Sequence, residues 1–219
     1  MLGSDLPCLD LLEVTPAILR GLMREISDDD ARWKPAPDRF SIAEVLAHLS
    51  HSEDHCYRMR VDRFLKEESP FFEADEARMY LDLYRDADLK GSFDFFEEQR
   101  EKNIEFLENL PPGSGDRKAN HAEVGEITLA QMLHEWALHD IGHIRQVAEL
   151  VRARKYLNGA GPLGKSYQLP HDSPILSICF SHGRRTGPAK SEILLYLLES
   201  KCFGWVHSRR APGGNERCA

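Results

Sequence analysis

The sequence predicts an all-α protein, a four-helix bundle followed by a mostly irregular C-terminal extension. Apolar residues recur at helical spacing in four stretches of about the first 155 residues. Two of those stretches open on a complete capping signature, Ser41-Ile42-Ala43-Glu44 and Thr128-Leu129-Ala130-Gln131. The pattern stops where the charge balance reverses. The whole chain of 219 residues carries a formal charge of −8, yet residues 170–219 hold seven Lys or Arg against four Asp or Glu. The expected division is therefore a helical domain over residues 1–168 and a basic, poorly structured tail over residues 169–219, the latter with one short helix from Ser191 to Leu198.

The first helix is expected from Leu9 to Arg24, its stripe formed by Leu11, Leu12, Val14, Ile18, Leu19 and Leu22. It stops before Ser27-Asp28-Asp29-Asp30, and Trp33-Lys34-Pro35-Ala36-Pro37 must be extended because each proline restricts its predecessor as well as itself. The second helix starts at the Ser41 cap, with Phe40 placed to staple onto Val45, and runs to about Leu65. The third spans residues 88–109 and ends at Pro111-Pro112-Gly113. A link of about twenty residues joins helices two and three, so they need not be antiparallel neighbours. The fourth starts at the Thr128 cap, with Ile127 stapling to Met132, and runs to about Arg154, beyond which Gly159, Gly161 and Pro162 exclude continuation. No β pattern of any length is legible.

Composition removes several function classes. No run of 18 apolar residues exists, so no membrane span is expected. The start, Met-Leu-Gly-Ser-Asp-Leu-Pro, does not read as a secretory signal, and the cytoplasm is the expected compartment. Five scattered cysteines (Cys8, Cys56, Cys179, Cys202, Cys218) without a Cys-x-x-Cys argue against a disulfide framework or a cysteine-rich zinc site. Net acidity argues against a nucleic-acid binder. Gly161-Pro162-Leu163-Gly164-Lys165-Ser166 lacks the spacing of a phosphate loop.

Histidines carry the functional signal. His139 and His143 stand four residues apart, so their imidazoles project from one face of helix four. On a helical projection His143 lies roughly 25° and His139 roughly 65° from the centre of the apolar stripe, and His48 roughly 60° from that of helix two. His51 and His55 lie further round and are expected to be solvated, while His134 faces the opposite way. A lone histidine at a stripe's edge is ordinarily a hydrogen-bonded boundary residue. Three that meet in apolar surroundings instead suit a divalent metal with open coordination positions, because a structural ion usually takes four protein ligands. Zinc and nickel fit the nitrogen donors best, and iron or manganese are compatible.

Neighbouring polar residues are weaker candidates. Asp140 and Glu53 are placed to orient ligating imidazoles, and Glu53 is a weak candidate catalytic base, since it sits roughly 140° round the helix from His48 and reads more readily as a boundary carboxylate. Gln146 could face the site or be an exposed helix glutamine. Cys56 and Trp136 read as core residues.

Two segments resemble motifs of the DinB-like family. Trp33-Lys34-Pro35-Ala36-Pro37 followed by Phe40-Ser41-Ile42-Ala43-Glu44-Val45-Leu46-Ala47-His48-Leu49 resembles its approach to helix two. His139-Asp140-Ile141-Gly142-His143-Ile144-Arg145-Gln146 resembles its second histidine motif. The likeness covers about residues 8–168. It implies an up-down-down-up bundle, often a homodimer, with a divalent metal held by His48, His139 and His143. It also implies a metal-dependent transferase or hydrolase acting on a small molecule, with a low-molecular-weight thiol as a possible partner. Alternatives are a non-catalytic metal-binding or stress-related module and a metal-free helical dimerisation scaffold.

Overall fold

The structure is a computed structural model that describes residues 6–73 and 83–167. The expected tail, residues 169–219 with its Ser191–Leu198 helix, lies outside the described residues. Helices α1 (Leu9–Met23), α3 (Ile42–Ser52), α4 (Met59–Lys66), α5 (Leu89–Glu108) and α6 (Leu129–Val151) build the bundle, and α2 (Asp28–Arg32) is a single extra turn. Both capping boxes form. Ser41 Oγ accepts from Glu44 N while Glu44 Oε2 accepts from Ser41 N, and Thr128 and Gln131 do the same at α6. Each such pair satisfies two amides that the first helical turn leaves without partners.

Side-chain pairings fix the helix directions. Arg20 of α1 meets Glu97 of α5 while the Leu12 carbonyl meets Arg100, so these helices run oppositely. Glu53 meets Arg100 and Arg58 meets Phe106, so the α3–α4 rod and α5 run the same way. His48 meets His139 and Tyr57 meets Trp136, so α6 opposes the rod, and Cys8 beside His134 with the Glu25 carbonyl beside Lys155 sets α6 parallel to α1. That is up-down-down-up. The long link between α4 and α5 follows from it, because a parallel successor requires the chain to travel back along the bundle.

Helix two is not one continuous α-helix. Glu53–Arg58 is a π-turn between α3 and α4. Its extra residue rotates everything after it, so the inward positions that an unbroken helix would give to Cys56 and Met59 pass to Tyr57, Val61 and Phe64. Met59 is accordingly exposed and Cys56 half-buried. On α1 the buried line is Leu12, Thr15 and Leu19, while Val14 and Ile18, expected inward, are 46% and 39% exposed. Thr15 enters the core because its hydroxyl donates to the Leu11 carbonyl at 2.9 Å.

The absence of β structure was also an incorrect expectation. β1 (Phe71–Phe72) pairs parallel with β2 (Lys118–His121), which pairs antiparallel with β3 (Gly125–Thr128), Ala119 opposite Ile127. Strands of two to four residues are too short for alternation to show in sequence. Gly125, at φ 79, is the first residue of β3 and closes the turn from β2, and β3 leads directly into the Thr128 cap of α6.

Two apolar clusters fill the bundle. One gathers Leu19, Phe40, Val45, Leu49, Phe96, Val147 and Leu150, and the other Leu12, Tyr57, Val61, Phe64, Leu107, Leu133 and Trp136. The rod, α5 and α6 also carry a polar group inside the bundle, Glu53, Arg100, Asn103, Asp140 and the three histidines. Arg100 reaches Glu53 Oε1 at 2.6 Å and Asp140 Oδ2 at 2.7 Å, and also donates to the Leu12 carbonyl at 2.7 Å. Removing one member of a buried ion pair strands the others in low dielectric. Arg100→Leu is therefore expected to destabilise the protein by about 3–5 kcal/mol, read from urea denaturation midpoints; a loss below about 1 kcal/mol would contradict this role.

Candidate metal centre

His48 is carried on α3, seven residues into a helix whose start is fixed by the Ser41 cap, and His139 and His143 on α6, likewise fixed by its Thr128 cap. The antiparallel packing of the two helices brings all three rings together, with centroids 5.2, 4.8 and 4.4 Å apart. The Nε2 atoms converge: His139 Nε2 lies 3.0 Å from His48 Nε2 and 3.2 Å from His143 Nε2. That is the spacing of adjacent donors around one ion with bonds of about 2.0–2.1 Å. Among the described residues this is the one group of three or more His, Cys, Asp or Glu arranged to hold a metal. His48 and His143 are 5% and 4% exposed, and His139 is half-buried.

Electrostatics hold these imidazoles neutral. Burial pushes His48 and His139 well below the ordinary histidine range, and the neighbouring rings push them further. Burial also lowers His143, against the opposing pull of Gln146 and Asp140. Three uncharged nitrogens facing one point repel each other's lone pairs unless a proton or a cation stands between them. The donor set therefore fits a divalent ion that accepts nitrogen ligands.

Gln146 was read as facing the site or as an exposed residue. It is buried, and its Oε1 lies 2.9 Å from His143 Nδ1. A carbonyl oxygen only accepts, so Nδ1 carries the hydrogen and Nε2 keeps its lone pair for the centre. Glu53 and Asp140, considered as orienters of the imidazoles, both bind Arg100. Glu53 Oε1 also accepts from Trp136 Nε1 at 3.2 Å and Oε2 from Asn103 Nδ2 at 3.0 Å. Its proton affinity is raised, chiefly by burial, with Arg100 pulling the other way. The carboxylate is an anchor for three helices.

Sequence reasoning missed Tyr57 and Arg100. Tyr57 stacks on Trp136, 4.4 Å between centroids and 5° from parallel, and stands edge-on to His139 at 5.5 Å. Burial and the Glu135 carboxylate raise its hydroxyl well above the ordinary tyrosine range, so it stays protonated. Arg100 is charged and so does not read as a core residue, although Phe93, Phe96, Arg100, Asn103 and Leu107 form one buried line at three- and four-residue spacing. Of the other histidines on these helices, His51 is half-buried, His55 and His134 are exposed, and His134 Nδ1 lies 2.9 Å from Cys8 Sγ.

Known proteins share this arrangement of elements. The sequence model of the DinB superfamily matches residues 11–147. A protein of Oceanobacillus iheyensis, named provisionally as a metal-dependent hydrolase, is 19% identical over 146 residues, covering 66% of this chain and 84% of its own. The solved structure of YfiT from Bacillus subtilis, described as a probable metal-dependent hydrolase with an unusual four-helix bundle topology, superposes with a TM-score of 0.60 at 24% identity, over 66% of this chain and 84% of its own. No helix among the described residues is long and apolar enough to cross a membrane.

Two outcomes follow from the site's geometry. Gln146→Ala is expected to weaken divalent-metal affinity by about 10–100-fold, measured by chelator competition, whereas Gln146→Glu, which keeps an acceptor at Nδ1, retains it; equal affinity in wild type and Gln146→Ala would show that Gln146 does not orient His143. For metal-free protein, the folded state binds fewer protons at these imidazoles than the unfolded chain does below about pH 6.5. Stability should thus be full above that pH and fall as pH drops toward the depressed folded values. His139→Asn should flatten the slope of urea midpoint against pH, and an unchanged slope would contradict the assignment.

Proposed function

The chain belongs to the DinB superfamily, and on that footing we propose that it is a divalent-metal-dependent hydrolase of a small molecule. The observation that carries this reading is the convergence of three Nε2 atoms, from buried His48 and His143 and half-buried His139. The provisional and probable metal-dependent hydrolase descriptions of its two relatives support it. A dication held by three uncharged ligands keeps its full charge and supplies Lewis acidity, acidifying a water or a thiol and polarising an ester or amide carbonyl.

The chain's own groups do the rest. Gln146 holds His143 in the one tautomer that leaves Nε2 available. Tyr57 and Trp136 form a flat apolar wall against His139 and exclude water from that side. Arg100, anchored to both Glu53 and Asp140, ties α5 to the two histidine-bearing helices, so that the rings are held before a ligand arrives. Both oxygens of Glu53 are already hydrogen-bonded, so it is not assigned the role of general base.

Thiol transfer shares every one of these features and differs only in the attacking group, a low-molecular-weight thiol in place of water. Zinc and nickel remain the favoured ions. The test is elemental analysis of untagged protein together with a panel of small esters, amides and thioesters, assayed with and without added low-molecular-weight thiols. The expected result is close to one divalent ion per chain, and turnover lost in His143→Ala. Turnover only with thiol present selects the transferase variant. Metal-free protein that turns over the same substrates at the same rate overturns the proposal.

A further inference from the structure

One turn past His48 on the same rod stand two imidazoles that the inner centre does not use. His51 and His55 are four residues apart, the spacing of His139 and His143. Their rings lie face to face, 4.3 Å between centroids and 6° from parallel. Both line an open groove of about 450 Å³ whose walls also include Tyr84, Asp88 and Phe95. Tyr84 joins this groove to the inner centre, its ring edge-on to His51 at 5.9 Å and edge-on to His48 at 5.9 Å. Asp54 Oδ2 lies 3.9 Å from His55 Nδ1.

His48 and His143 are buried, so a hydrated cation must shed water to reach the centre. A route that replaces those waters one at a time by protein donors lowers that barrier. Two imidazoles four residues apart on one helix face become a two-point donor for first-row ions when the stacked rings rotate about their side-chain bonds to aim one nitrogen each at a shared ion. The carboxylates of Asp54 beside them and Asp88 across the groove favour the arrival of a cation over an anion. The outermost ring, His55, is exposed, His51 is half-buried and His48 is buried. The three thus form a graded line of nitrogen donors from solvent to the centre.

We propose that His51 and His55 are an outer capture site for the nitrogen-seeking divalent cation that the inner three histidines hold, delivering it past Tyr84. The assignment rests on the inner site being a metal centre, and the two ideas are separable by experiment. Nickel is the probe, added to metal-free full-length protein, with loading followed by quenching of tryptophan fluorescence, since Trp136 lies one turn from His139. The double variant His51→Ala/His55→Ala should load about tenfold more slowly or worse, while chelator competition gives an unchanged equilibrium affinity. In His143→Ala a weaker nickel equivalent should persist and vanish on adding His55→Ala. His55 is exposed and alanine favours helix, so the urea midpoint of His55→Ala should not move, and the double variant, which also loses the half-buried His51 ring against Tyr84, should keep its helical circular dichroism.

Loading at the wild-type rate in the double variant, or no nickel equivalent in His143→Ala, overturns the capture site and leaves the inner centre standing. Nickel uptake that is abolished by His55→Ala yet indifferent to His143→Ala overturns the inner centre instead. No uptake by the wild type overturns both.

Discussion

Buried polar groups in the middle of an apolar bundle have to be satisfied by one another, and that constraint organises this structure. A guanidinium, two carboxylates and three imidazoles form a polar group inside the bundle. The charged part closes on itself: Arg100 donates to Glu53, Asp140 and the Leu12 carbonyl, while Asn103 and Trp136 satisfy what remains of Glu53. Such a cluster is costly to bury and costlier to break, so it specifies one alignment of the helices. The imidazole part does not close in the same way. His143 has Gln146 behind it, but the three Nε2 atoms point at each other. A cation is the natural completion of that arrangement.

The π-turn at Glu53–Arg58 belongs to the same constraint. An unbroken α-helix from Ser41 would carry the face that holds Val45 and Leu49 on to Cys56 and Met59. The added residue turns Tyr57 inward against Trp136 and His139, and lies where Glu53 meets Arg100. Ser52 Oγ, donating to the His48 carbonyl at 2.8 Å, supports the backbone where the hydrogen-bond pattern changes. The local irregularity in the rod is thus what lets one helix carry His48 on one turn and bring the Tyr57 ring against His139 on a later one.

Much of this was legible in the sequence, and the reasons differ by element. The starts of α3 and α6 were readable because side-chain identity at four consecutive positions dictates a reciprocal hydrogen-bond pattern, which then sets the phase of His48, His139 and His143. That these three imidazoles meet was therefore readable too. The π-turn was not, because its cause is tertiary: nothing in Glu53-Asp54-His55-Cys56-Tyr57-Arg58 alone demands an extra residue in the turn. Arg100 was hidden by its charge, although its place between Phe96 and Asn103 on one buried line was a signal. Gln146 needed the position of the His143 ring to be known. The three short strands left no periodicity to read.

The central claim is that three imidazoles from two helices bind one ion. X-ray absorption at the edge of the metal in loaded full-length protein tests it most directly. The account predicts three imidazole nitrogens at about 2.0–2.2 Å, with the outer-ring scattering of imidazole reduced by a third in the His48→Ala variant. A first shell of oxygen or sulfur with at most one imidazole, unaltered by that substitution, would contradict it.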